Sequence, residues 1–140
     1  MNIDAIQNGI VIDHITAGRG MRIYELLGLD ALDVSVALIK NAVSHNTDGK
    51  KDIIKIDSTM SINFDVLGFV DPGVTVNIIR NGKLQEKRRI DMPQRLTNVI
   101  YCKNPRCITS TERAIDHVFR LTDPRNKIYR CVYCETKANI

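Results

Sequence analysis

Four cysteines, the only ones in the chain, stand near its end as Cys102-x4-Cys107, a gap of 23 residues, then Cys131-x2-Cys134. Two short-spaced pairs across a loop present four thiolates to one tetrahedral ion. Each pair needs its own tight turn, because sulfurs about 3.5 to 4 Å apart around a metal require backbone anchors close in sequence. Met1 to Asn8 carry neither a basic segment nor an apolar one, so no signal peptide is read and a cytoplasmic protein is expected. In a reducing compartment free thiols favour metal ligation over disulfides. Four sulfurs close the coordination sphere and leave no position for a catalytic water, so the expected ion is one structural Zn2+. Rubredoxin-type iron accepts the same geometry, but typically on two x2 turns, from which the x4 spacing departs.

The cysteines also divide the chain. Of 140 residues, 44% are apolar and 26% charged, as in an ordinary globular protein. No apolar run approaches the roughly 18 to 20 residues that span a bilayer, so no membrane partner is expected. Met92-Pro93-Gln94 reads as a linker, giving expected domains at 1–93 and 94–140. The second holds few aliphatic residues (Leu96, Val99, Ile100, Ile108, Ile115, Val118, Phe119, Leu121, Ile128, Val132) and needs a metal or partner to hold a fold. Val99-Ile100-Tyr101 and Ile128-Tyr129-Arg130 read as strands delivering the two cysteine turns. Charge is uneven: eleven basic and twelve acidic residues precede Arg95, nine and four follow from it on. Four thiolates with one Zn2+ bring the tail from +5 to about +3, too little to argue alone for nucleic acid.

In the first part, aliphatic runs alternate with polar turns. Gly9 to Ile15 reads as a strand, and Arg19 to Leu29 as a helix with Gly28 as its stop. Val34, Val36, Leu38 and Ile39 suggest a second strand. A turn at His45 to Gly49 leads into a third, Ile53 to Ile56. Ser58 or Thr59 would cap a second helix carrying Ile62, Val66, Leu67 and Phe69, stopped by Asp71-Pro72-Gly73. Val74, Val76, Ile78 and Ile79 form a fourth strand, and Asn81-Gly82 is a type I′ turn signal into a further strand at Lys83-Leu84. Strand, helix, strand, strand, helix, strand is the order of a ferredoxin-like α+β sandwich. The expected fold class is therefore α+β: a ferredoxin-like antiparallel sheet with two helices, followed by a small zinc-bound β domain.

Five segments in order carry a family resemblance. They are Val11-Ile12-Asp13-His14-Ile15, Lys50-Lys51-Asp52-Ile53-Ile54-Lys55-Ile56, Thr75-Val76-Asn77, Cys102-x-Asn104-x2-Cys107-Ile108 and Arg130-Cys131-x-Tyr133-Cys134-Glu135. The chain resembles, over essentially its full length, the regulatory chains of aspartate carbamoyltransferase. The resemblance implies a non-catalytic subunit with an N-terminal nucleotide-binding domain and a C-terminal zinc domain docked on the catalytic chain. It also implies a homodimer of regulatory chains that bridges catalytic trimers in pyrimidine biosynthesis. CTP, in some members with UTP, would inhibit, and ATP would compete for the same site and activate.

The same resemblance implies the site residues. Lys87 and His14 match positions facing the phosphates, and Asp13 and Lys55 match those near the ribose. Main-chain groups near Ile6 and Gly82 would read the base, with Val11, Asn77, Ile79 and Leu84 lining the pocket. Lys51 matches a position associated with a second nucleotide. Asn104 and Glu135 match positions that touch the catalytic chain. Arg106 and Gly82 depart from the family pattern, and Arg106 would recast its contact as an ion pair. Without the resemblance, Asp13-His14 reads as a solvated strand end, Lys55 as an outward strand residue, and Lys87-Arg88-Arg89 as a charged sheet edge.

Two other functions compete. A basic zinc ribbon binding nucleic acid would explain Arg113, Arg120, Arg125, Lys127 and Arg130, but aromatics are only 5% and no stacking platform is evident. An enzyme using the metal or His14 lacks a paired acid or base and an open metal site. There is no G-x-x-x-x-G-K-[ST], so nucleotide hydrolysis is not implied.

Overall fold

The computed structural model describes residues 5–44 and 49–139. Its contacts divide the chain into two compact units, Met1–Asp91 and Met92–Ile140. In the first, strands β1 (Gly9–Thr16), β2 (Val36–Val43), β3 (Lys50–Ile56), β4 (Thr75–Arg80) and β5 (Lys83–Arg89) form one sheet in the order β2-β3-β1-β4-β5. Every neighbouring pair is antiparallel. With helices α1 (Gly20–Leu26) and α2 (Phe64–Val70), this is the ferredoxin-like order, extended at one edge by β5.

Alternation along the strands decides which face is core. Ile10, Ile12, Ile54, Ile56 and Val76 project to one side and are almost completely buried, as are Ile23 of α1 and Val66, Leu67, Phe69 and Val70 of α2. Each such side chain contributes about 1.5–3 kcal/mol of transfer free energy. α1 packs against α2, β2 and β3. The opposite face carries residues 11, 55 and 77, all half-buried.

Local chemistry corrects several expected boundaries. α1 ends at Leu26, because Gly28 adopts a left-handed φ of 67° and starts a short 3-10 turn, Leu29–Ala31. The second strand begins at Val36 rather than Val34. α2 begins at Phe64, since Asn63, not Ser58 or Thr59, accepts the Asp65 N–H at 3.0 Å. Ile62 is buried just ahead of the helix. Asn81 and Gly82 have φ of 53° and 74°, the positive pair that a type I′ turn requires. Of the turn expected at His45 to Gly49, only Gly49 lies within the described residues.

Asp13 and His14 do not end the strand. β1 pairs β3 as Ile12↔Ile54 and then Ile15↔Asp52, so one extra residue bulges between them, with His14 at φ 59°. Ile12 and Ile15 therefore both reach the core. The fully buried Asp52 accepts backbone N–H groups from Gly18, Gly20 and Asn41 at 3.0–3.1 Å. It thereby ties the start of α1 to a second bulge at Asn41, and a buried carboxylate needs such donors.

In the second unit β6 (Arg95–Thr97), β7 (Val118–Asp123) and β8 (Ile128–Cys131) form an antiparallel sheet, with α3 (Ile108–Thr111) after the first cysteine pair. Val99-Ile100-Tyr101 is not a strand. Pairing stops at Thr97, and Asn98, at φ 56°, donates Nδ2–H to Asp116 and accepts the His117 N–H through Oδ1. Pro93 and Gln94 are bonded within this unit, through Tyr129 Oη to Pro93 O and Leu121 N–H to Gln94 O. Leu96, Phe119, Leu121 and Tyr129 make its small core.

Candidate functional site

The four sulfurs of Cys102, Cys107, Cys131 and Cys134 lie within 4.8 Å of one another. Cys102 and Cys134 are 3.5 Å apart, and Cys107 and Cys131 3.7 Å, close to the edge of a tetrahedron with metal–sulfur bonds of about 2.3 Å. Turns build the cluster. Asn104 O accepts the Cys107 N–H at 3.0 Å, and Asn104 Oδ1 the Arg106 N–H at 3.0 Å. Cys131 O accepts the Glu135 N–H at 2.9 Å while Glu135 takes φ 64°. His117 Nδ1 accepts the Cys102 N–H at 3.0 Å, which fixes the tautomer that keeps Nδ1 bare.

The sulfurs divide their protons unequally. Burial pushes the Cys102 thiol up to about 12, and burial also raises Cys131. Burial works against ionising Cys134 too, yet hydrogen bonds from the Thr136 hydroxyl and N–H and from the Asn104 side chain hold it down at about 6. Thr136 Oγ1 is 3.1 Å from Cys134 Sγ, and Thr109 Oγ1 3.1 Å from Cys107 Sγ. Hydroxyls so placed orient sulfurs and take up part of their charge. Four sulfurs at this spacing, three on buried cysteines and the fourth on the half-buried Cys134, fit a thiophilic divalent cation, which would ionise all four. Sequence reasoning missed Thr109, Thr136 and His117, although Thr109 and Thr136 stand only two residues beyond a cysteine.

In the first unit, register brings most of the remaining candidates onto one face. Lys55 pairs with Val11, Val11 with Asn77, and Asn77 with Lys87, forming a row across β3, β1, β4 and β5. A second row sets Ile79 between Gly9 and Leu84. Ile6 lies against Gly9, and the Gly82 N–H is donated to Gln7 O at 2.9 Å. Asn77 Oδ1 is buried and has no hydrogen-bond partner among the described residues. An orphaned acceptor of that kind is costly unless a ligand or water donates to it.

The bulge places Asp13 and His14 at the end of the same face. Asp13 Oδ1 accepts the His14 N–H at 2.6 Å and pairs with Lys51 Nζ at 3.0 Å. His14 Nδ1 meets Thr75 Oγ1 at 3.1 Å, a partner the sequence did not signal. Lys51, with a side chain only 14% exposed, is thus engaged inside the unit. Lys55 and Lys87 make no ion pair among the described residues. Asn104 is half-exposed, Arg106 and Glu135 are exposed, and all three lie on the cysteine turns.

Comparison with known proteins agrees with both halves of this picture. Residues 1–91 match the family model described as aspartate carbamoyltransferase regulatory chain, allosteric domain, and residues 94–140 match that of its metal binding domain. An aspartate carbamoyltransferase regulatory chain of Clostridium botulinum strain Hall is 52% identical over 135 residues, covering 96% of this chain and 92% of the relative. That of Clostridium acetobutylicum is 47% identical over 135 residues, again 96% and 92%. That of Bifidobacterium longum is 43% identical over 140 residues, the full length of both.

Proposed function

The chain belongs to the aspartate carbamoyltransferase regulatory chain family, and from that premise we propose that it binds nucleoside triphosphates on its N-terminal sheet and docks its zinc-bound C-terminal unit on the catalytic chain. It is a non-catalytic subunit with an allosteric and a metal-binding domain. Nothing favours the nucleic-acid reading. No helix among the described residues is long and apolar enough to cross a membrane.

The observation that carries the nucleotide reading is the row Lys55–Val11–Asn77–Lys87 with its orphaned Asn77 Oδ1. A triphosphate brings about four negative charges, which Lys87 and His14 would meet, while Asp13 and Lys55 face the ribose. The Gly82 carbonyl and groups near Ile6 would accept from the base. Ile79 and Leu84, the latter 57% exposed, would cover it. With Lys51 held by Asp13, a second nucleotide near Lys51 must compete with that ion pair. CTP and UTP would inhibit and ATP activate, each through a different affinity for the two states of the assembly, a coupling typically of about 1–3 kcal/mol.

The docking reading rests on exposed apolar side chains at the cysteine turns. Tyr101, Ile108 and Tyr133, each beside a cysteine, are 71%, 44% and 51% exposed. Asn104, Arg106 and Glu135 would border that apolar patch, a polar rim around a hydrophobic centre. Zinc holds the turns, so stripping it with a chelator should abolish association with the catalytic chain. Two regulatory chains would pair as a homodimer. β2 is the less charged of the two sheet edges.

The test is carbamoyl transfer by the catalytic partner, with and without this chain and each nucleotide. Regulation should appear only with the chain present. Lys87→Gln should weaken CTP by roughly tenfold or more, the worth of one charged hydrogen bond. His14→Ala should weaken CTP as well, through loss of a hydrogen-bond donor to the phosphates. Unchanged affinity in that variant removes His14 from the phosphate role.

A further inference from the structure

We propose that Arg95, Arg120 and Arg130 form a binding site for a small diphosphate-class anion on the sheet of the metal-binding unit. The three are directly opposed in register, Arg95↔Arg120 across β6 and β7 and Arg120↔Arg130 across β7 and β8. Leu96, Phe119, Leu121, Tyr129 and Cys131 fill the other face of those strands, so alternation sends all three guanidinium groups to the open side. Like charges directly opposite one another destabilise a sheet, and a row of three does so twice. The one carboxylate lining the same hollow is that of Glu135. None of the three makes an ion pair among the described residues, and the contact found is Arg130 Nη1 donating to Glu135 O at 3.1 Å.

The row is also concave. The arginines, with Cys131, Val132 and Glu135, line a cavity of about 280 Å³. Ligand pockets begin at about 300 Å³, so this one suits a compact anion rather than a whole nucleotide. Three guanidinium groups and the Glu135 carboxylate leave the lining near +2, a match for an anion of two or three charges. Arginine's planar fork favours phosphate oxygens over a diffuse counterion. The left-handed Glu135 aims its carbonyl at Arg130, so the second cysteine turn helps hold the pocket open. The site shares no residue with the nucleotide face and does not rest on that reading.

The experiment titrates inorganic diphosphate into the metal-loaded full chain, followed by calorimetry and by the arginine side-chain NMR signals. Arg120→Gln, Arg120→Lys and Lys87→Gln chains are run in parallel, with metal content confirming that each is folded. Saturable shifts of the arginine signals are expected, weakened roughly tenfold by Arg120→Gln, partly retained by Arg120→Lys and persisting in Lys87→Gln, whose nucleotide face would take diphosphate separately. Three results overturn the proposal: a linear, unsaturable response; a response lost with Lys87→Gln but not Arg120→Gln; or an Arg120→Gln effect on association with the catalytic chain alone. The last would assign the row to a protein contact.

Discussion

The two units of this chain solve the same problem by different means. The N-terminal unit buries Ile10, Ile12, Ile54, Ile56, Leu67 and Val76 between a five-stranded sheet and its helices. Its stability is distributed over many apolar contacts. The C-terminal unit has three short strands and a core of Leu96, Phe119, Leu121 and Tyr129, and places its four sulfurs at one point. A structural zinc there would supply about 10–16 kcal/mol of apparent binding energy, which for so small a unit is folding energy. One unit should therefore lose a side chain and survive, whereas the other should stand or fall with its ion. The first leaves the opposite sheet face half-buried, and the second leaves Tyr101, Ile108 and Tyr133 exposed on its cysteine turns.

The largest expected effect comes from Cys131→Ser. It should remove stoichiometric metal, unfold the C-terminal unit and end association with the catalytic chain, while CTP binding persists; metal analysis, sedimentation and calorimetry read the three. The contrast sharpens with Ile12→Ala. Truncating this fully buried residue should cost about 2–5 kcal/mol in urea unfolding of the N-terminal unit and leave metal content unchanged.

Acid should separate the units as well. Cys134, held down at about 6 by the hydrogen bonds of Thr136 and Asn104, is ionised at neutral pH and regains its proton as the pH falls through about 6. Cys102, raised to about 12, gives up its proton only to the cation. Protons therefore compete with the metal, and its apparent affinity should drop steeply between about pH 7 and pH 5, read by competition with a chromophoric chelator. The smallest effect is at Asp123. Hydrogen bonds from the Asn126 side chain and then its N–H lower this exposed carboxyl below 3.8. Its contribution is present above the unfolded value and lost as the pH falls through the folded one. Asp123→Ala should thus speed amide exchange at residues 124–127 slightly at pH 7, and progressively less as the pH falls below the usual carboxylate range.

What the sequence made legible follows the same division. Period-two alternation in Gly9 to Ile15 and the Asn81-Gly82 pair located strands and turn, because β-branched residues and positive φ are local demands. The cysteine cluster was legible from spacing alone. The bulge at His14 was not, since it exists only because Ile12 and Ile15 must both reach a core that other strands complete. Nor was the loss of the strand at Val99 to Tyr101, where β propensity yields to the Asn98 and His117 hydrogen bonds that set the first cysteine turn. The arginine row needed register across three strands, two of which the sequence did not announce.

Residue-resolved hydrogen exchange on the full chain, before and after a chelator strips the ion, tests the two-unit picture most directly. Protection should vanish across residues 95–139 and stay intact in β1, β3 and β4. Undiminished protection around Phe119 and Tyr129 after complete metal removal would contradict it, as would loss of protection in both units together.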